Sequence, residues 1–287
     1  MIQFKAKPKY LYKYCSANRA VQILRDKYLY LTPISKLNDL YEFAFHSLFS
    51  MQEDTLEKYM VKNIKTLGVN LPNKDVNEIV KKSSRADLED SFSVWKENLT
   101  HTFNSIREHS GVTCFSEESN NQRMWGTYGD YHKGACIEFK TFEKESPFDG
   151  ILLPVFYTNS KLNMCYSEII DEDGSLNINV LTFLSSIKHT HWRDEKEWRA
   201  LMLANTYQDD EARKLRFRDT DISRVFLGPL MPEEQEKDII EAKENSGLSL
   251  GVFKRVVDGM FGKEHLEGFE FPKSSAEIKY WIERQIT

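Results

Sequence analysis

Trp192-Arg193-Asp194-Glu195-Lys196-Glu197-Trp198-Arg199-Ala200-Leu201-Met202 is a charged start that runs into an apolar strand. In an extended chain alternate side chains point to opposite faces. Glu195, Glu197 and Arg199 then share one face, and Lys196, Trp198 and Ala200 take the other. The two carboxylates make a Glu-x-Glu pattern. One use of such a pair is to hydrogen-bond a sugar hydroxyl while stabilising a cationic, oxocarbenium-like centre nearby. A plainer use is an exposed strand start, with both carboxylates solvated or paired to Arg193 and Arg199.

Further short β-branched or aromatic runs lie on both sides of this strand. They are Val112–Phe115, Ala135–Phe139, Leu152–Tyr157, Val225–Leu227 and Leu250–Val257, each bounded by polar turns. Near the start, Tyr10–Tyr14 and Tyr28–Leu31 flank a short helix that Ser16 can cap, with Val21 and Leu24 on its apolar side. Helical spacing joins Leu56, Tyr59, Met60, Ile64 and Leu67, and then Leu88, Phe92, Trp95, Leu99 and Ile106. A helical stretch covers 176–190, Pro232 opens a charged helix that stops before Gly247, and Ser274 with Glu277 starts a terminal one. These elements predict a single α+β domain over residues 1–287. Its sheet is mainly antiparallel with segregated helices, and a helical insert occupies 50–110.

The net charge of −5 over 287 residues argues against a broad, sequence-blind polyanion surface and leaves room for a local basic cleft. Aromatics make up 13%, enough to require cores or stacking surfaces for their rings. The start lacks the apolar stretch and cleavage site of a signal peptide, and no apolar run approaches the ~20 residues that span a bilayer. Cys15, Cys114, Cys136 and Cys165 are scattered, without a C-x-x-C pair, which predicts a cytoplasmic protein with no disulfide frame. Phosphate-loop, dinucleotide-fingerprint and nucleophile-elbow motifs are absent from the sequence, which disfavours an ATPase, a Rossmann dehydrogenase and an α/β-hydrolase.

Three more clusters have site chemistry. Between Met124 and Gly134, Trp125, Tyr128 and Tyr131 sit among glycines, and their rings suit either stacking or plain packing. In Tyr12-Lys13-Tyr14 the lysine faces away from the tyrosines and can donate to a phosphate or ribose oxygen, or can simply be a solvated edge residue. Asn38, Asp39 and Glu42 group amide and acid side chains after a turn. His189 and His191 resemble a metal pair, but on a helix end they would point apart, so no metal site is expected.

Taken in order, Leu11-Tyr12-Lys13-Tyr14, Leu37-Asn38-Asp39, Cys114-Phe115-Ser116, Met124-Trp125 through Tyr128, Glu138-Phe139, Glu195-Lys196-Glu197-Trp198-Arg199 and Val225-Phe226-Leu227-Gly228 resemble the bacterial and phage family known as domain of unknown function 2971. The same order is similar, more remotely, to the ADP-ribosyltransferase fold, a split antiparallel sheet. Those enzymes place a His or Arg on a first strand, an aromatic on a second element and a Glu on a later strand. Lys13, Tyr128 (or Trp125) and Glu197 stand in those places. A lysine can donate there but cannot act as a neutral imidazole.

The resemblance implies an ADP-ribosyltransferase that consumes NAD and acts as a toxin or antiviral defence effector on a nucleic-acid or protein acceptor, with an antitoxin as a further partner and no membrane. It implies Glu197 on the ribose 2′-hydroxyl, Glu195 on the acceptor, Trp125 and Tyr128 on the nicotinamide ring, and Tyr12, Lys13 and Asn38 on the ribose or phosphates. Two alternatives remain open. One is a non-enzymatic nucleotide-binding or interaction module. The other is a metal-dependent nuclease using Asp39, Glu42, Glu195 and Glu197.

Overall fold

The computed structural model describes residues 6–39, 61, 72–82, 85–141, 146–160, 169–171, 176–203 and 210–255. The predicted helices around Leu56–Leu67 and after Ser274 lie outside them, as do Glu42 and Cys165.

Strand β1 (Tyr10–Cys15) leads into α1 (Ala17–Asp26). Ser16 caps that helix by accepting the N–H of Arg19, and Lys27 ends it in the left-handed region at φ 53°. Ala17, Ala20, Ile23 and Leu24 form its buried face. Next come β2 (Tyr28–Tyr30), β3 (Thr32–Pro33), α2 (Asn73–Lys82), α3 (Arg85–His109) and β4 (Gly111–Ser116). The middle of the chain forms α4 (Gln122–Thr127), β5 (Ala135–Lys140), β6 (Leu152–Pro154), β7 (Phe156–Thr158), α5 (Ile178–Leu184) and β8 (Ile187–His189). It closes with β9 (Glu197–Met202), β10 (Lys214–Arg216), β11 (Ile222–Leu227), α6 (Glu233–Asn245) and β12 (Gly251–Lys254).

The main sheet runs β12-β11-β5-β1-β4-β9-β6, with β3 on β4, and only its β11–β12 pair is parallel. The expected α+β class with a mainly antiparallel open sheet is therefore found. β1 follows β5 over six register pairs but meets β4 at the single pair Tyr12↔Ser116. The two central strands diverge beyond that pair, and the sheet opens in its middle.

Alternation along β9 sends Trp198 and Ala200 to one core and Leu201 to another. The first core unites α1 and α6 with the sheet through Leu24, Ile137, Phe139 and Ile239. Phe139 meets Phe115, Phe148 and Phe217 edge-on, with ring centroids 5.2–5.8 Å apart. The second core takes Phe103 and Ile106 of α3 with Leu181 and Leu184 of α5.

Two expectations need correction. Leu152–Tyr157 is not one strand: β6 pairs antiparallel with β9, whereas β7 pairs parallel with β8. The change of partner falls between Val155 and Phe156: the N–H of Val155 still donates to the carbonyl of Glu197 in β9 (3.0 Å), whereas that of Phe156 donates to the carbonyl of Ser186 (2.7 Å). The helix expected over 176–190 is shorter. After the cap at Ser185 the N–H of Ser186 donates to the carbonyl of Phe183 (2.9 Å), an i→i−3 bond that closes α5 and leaves 187–189 to form β8. β10, which pairs with β2, was not anticipated. Among the described residues no helix is long and apolar enough to cross a membrane.

Candidate functional site

The Glu-x-Glu segment is bent. Thr190–Glu195 forms a 3-10 turn, Lys196 takes the left-handed conformation at φ 46°, and β9 begins at Glu197. This kink turns Lys196 outward to Glu118 and both glutamates inward. The exposed strand start is thereby overturned, because Glu195 is 3% exposed and Glu197 5%. Of the expected pairings, Glu197 with Arg199 is present.

Lys188 of β8 stands between the carboxylates, its Nζ 2.7 Å from Oε2 of Glu195 and 2.9 Å from Oε2 of Glu197. The Arg199 Nε donates to Oε1 of Glu197 (2.8 Å), and its Nη1 donates to the carbonyl of Ser185 (2.6 Å). The Glu197 N–H donates to the Tyr157 hydroxyl (2.8 Å), and the Ser116 hydroxyl donates to the carbonyl of Glu195 (2.8 Å). Tyr128, at the end of α4, donates its hydroxyl proton to Oε1 of Glu195 (2.8 Å) and accepts from Nδ2 of Asn38 (2.7 Å). Lys13 reaches across the opening from β1 to the carbonyl of Cys114 on β4 (3.0 Å).

Burial governs the electrostatics. It pushes the Glu197 carboxyl above its ordinary value, against the pull of the Lys188 ammonium. Burial also acts to lower Lys188, but Glu197 and Glu195 outweigh it and hold the ammonium above the usual lysine value. The Tyr128 phenol is raised by burial and then by Glu195. Lys13 is lowered by burial.

A cleft of about 160 Å³ opens where β1 and β4 part, and Tyr12, Lys13, Asn38, Tyr128, Glu195 and Glu197 all line it. Six of the seven site residues that the resemblance implies thus meet in one place. Trp125 is the exception. It is fully buried, packs edge-on to Tyr14 with centroids 5.2 Å apart, and donates its indole N–H to the carbonyl of Ser119 (2.9 Å). Its ring belongs to the cluster of Tyr14, Met124 and Cys136, against which Tyr128, at the C-terminal cap of α4, packs only in part. Asp39 is buried.

Lys188, Ser116 and Tyr157 were missed. Nothing local marks Lys188, whose place between the glutamates arises from the parallel pairing of β7 with β8. Its ammonium occupies the position from which a divalent ion would bridge the two carboxylates. Among the described residues no group of three His, Cys, Asp or Glu side chains is arranged to hold a metal. The expected divergence of His189 and His191 is also corrected. Their rings lie 4.3 Å apart, because the segment is a strand end running into a 3-10 turn and not a helix end.

Residues 124–200 match the family described as Protein of unknown function (DUF2971). The family resemblance read from the motifs is shown over that span, which carries Tyr128, Lys188, Glu195, Glu197 and Arg199. No curated protein and no solved structure matches the chain.

Proposed function

We propose that the chain is an NAD-dependent ADP-ribosyltransferase and that the cleft between β1 and β4 holds the nicotinamide–ribose end of the dinucleotide. The observation that carries this reading is the convergence of Lys13, Tyr128 and the Glu195/Glu197 pair, from widely separated parts of the chain, on one cleft. In the reaction the bond between the ribose carbon and the nicotinamide nitrogen breaks, and its electron pair leaves with nicotinamide. The ribose carbon becomes cationic, an acceptor nucleophile bonds to it, and the acceptor's proton is released.

A buried carboxylate beside that cation stabilises it by several kcal/mol, roughly the scale of other pre-oriented charges in dry sites. Glu195 suits this part, since among the described residues one of its oxygens is held by the Tyr128 hydroxyl alone, at the cleft. Glu197, gripped by Arg199 and Lys188, positions that ammonium and through it Glu195. Lys13 and Asn38 supply donors for sugar or phosphate oxygens, and Tyr12 and Tyr128 supply rings for the base.

The test is purified protein with labelled NAD and total RNA, DNA and lysate. Wild type is expected to release nicotinamide and label an acceptor, and Glu195→Gln to lower the rate about 100-fold or more at a temperature where both proteins are folded by circular dichroism. A wild type that releases no nicotinamide and transfers no label overturns the proposal. The neutralisation of both carboxylates by Lys188 and Arg199 favours a second reading, a nucleotide-binding module without turnover. That reading predicts NAD-dependent stabilisation with no product.

A further inference from the structure

Behind Lys13, on the α1 side of the sheet, lies a second hollow of about 370 Å³. It shares Lys13, Tyr14 and Thr32 with the cleft and is otherwise lined by Ser16, Arg19 and Tyr30 among others. The bond from Lys13 to the Cys114 carbonyl spans the gap between β1 and β4, and the hollow and the cleft both border the Lys13 residue.

The charges of the hollow are one-sided. Lys13 and Arg19 bring two cations to it, and none of the residues that line it has a carboxylate. The hydrogen bond of Lys13 goes to a carbonyl. The Arg19 guanidinium lies over the Tyr28 ring, 5.4 Å from its centre, and gives one N–H to the side chain of Gln22. On the rim, the Tyr30 hydroxyl donates to Asp210 (2.9 Å). The first turn of α1, which opens at Ser16, has no acidic side chain to offset its dipole. Among the described residues neither Lys13 nor Arg19 is in a direct ion pair, although Glu197 acts on the first and Asp26 on the second at longer range. Two half-buried cations in one hollow favour an anionic ligand. A guanidinium fork beside a compact ammonium matches the oxygens of a phosphate ester.

We propose that this hollow is a phosphate site and that it seats a phosphate of the acceptor, which makes the acceptor a nucleotide or a nucleic-acid strand. The assignment to the acceptor rests on the ADP-ribosyl transfer proposed above, with Lys13 as the partition between donor and acceptor. The phosphate site itself does not depend on that chemistry.

Binding of inorganic pyrophosphate, 5′-AMP, adenosine and a short oligoribonucleotide to the full chain is measured by calorimetry and thermal shift, with and without NAD. The three phosphate compounds are expected to bind and adenosine is not. Arg19→Gln is expected to weaken them about tenfold or more, Arg19→Lys less, and Glu195→Gln not at all. The oligoribonucleotide is expected to compete with pyrophosphate, and NAD is not.

Absence of phosphate binding, or equal binding by wild type and Arg19→Gln, overturns the site. Displacement of pyrophosphate by NAD overturns the acceptor assignment and gives the hollow to the donor. Intact phosphate binding in a protein that never consumes NAD counts against the transferase alone.

Discussion

Two carboxylates as deep as Glu195 and Glu197 repel one another and lose their hydration, and both effects oppose ionisation. Lys188 and Arg199 oppose this by direct contact, although burial still holds the Glu197 carboxyl above its ordinary value. Removing Lys188 leaves two buried negative groups, with the Arg199 guanidinium in contact with Glu197. Lys188→Met is therefore expected to lose roughly 3–5 kcal/mol of stability, measured by urea denaturation, although methionine fills much the same space. The folded-state pKa of Lys188 is raised above its ordinary 10.5. Its stabilisation is thus complete below that value and fades as pH rises from 10.5 through the folded-state value. The stability gap between wild type and Lys188→Met should be constant from neutral pH to about pH 9 and narrow in more alkaline solution. A gap that widens there would contradict the charge assignment.

Tyr128 owes its position to the turn that follows α4. Asp130, Tyr131 and His132 all have positive φ, and the turn is tied down by bonds from His132 N–H to the Trp125 carbonyl (3.1 Å) and from Gly134 N–H to the Gly129 carbonyl (2.8 Å). Its end passes so near β1 that a Cβ on Gly134 would lie 2.2 Å from the backbone oxygen of Cys15. Gly134→Ala must move backbone against backbone. It is expected to lose about 1–3 kcal/mol and to shift Tyr128 away from Glu195. Chemical denaturation measures the first effect, and the NMR signal of the Tyr128 ring the second. An alanine variant as stable as wild type would mean that this turn is looser than its contacts imply.

At the scale of the whole chain, the sheet separates the largest hydrophobic core from the carboxylate pair. Ile239 of α6 is fully buried in that core, among the residues that join the helices α1 and α6 to the sheet. Ile239→Ala is expected to lower global stability by about 2–5 kcal/mol through the cavity it leaves. Ligand affinity, measured by calorimetry below the unfolding range, should remain as in wild type. A large loss of affinity would show that the helical layer and the cleft are coupled through the sheet.

Much of this organisation is legible in the chain itself. Ser16 as a cap, the face shared by Glu197 and Arg199, the stop at Gly247 and the strands at Tyr10, Val112 and Ala135 are local matters of hydrogen bonding and periodicity, and they stand where the periodicity puts them. Which of two neighbouring aromatics reaches the cleft was not local: Trp125 and Tyr128 pack on one cluster and differ in how deep the fold sets them. The arrival of Lys188 between two glutamates was not local either. It depends on strands β7 and β8 pairing in parallel, and on a left-handed Lys196 that no spacing rule foresees. Short-range forces act between near neighbours and leave their mark on the sequence. The meeting of charges from distant segments is settled only when the sheet closes, because burial and long-range pairing belong to the folded chain.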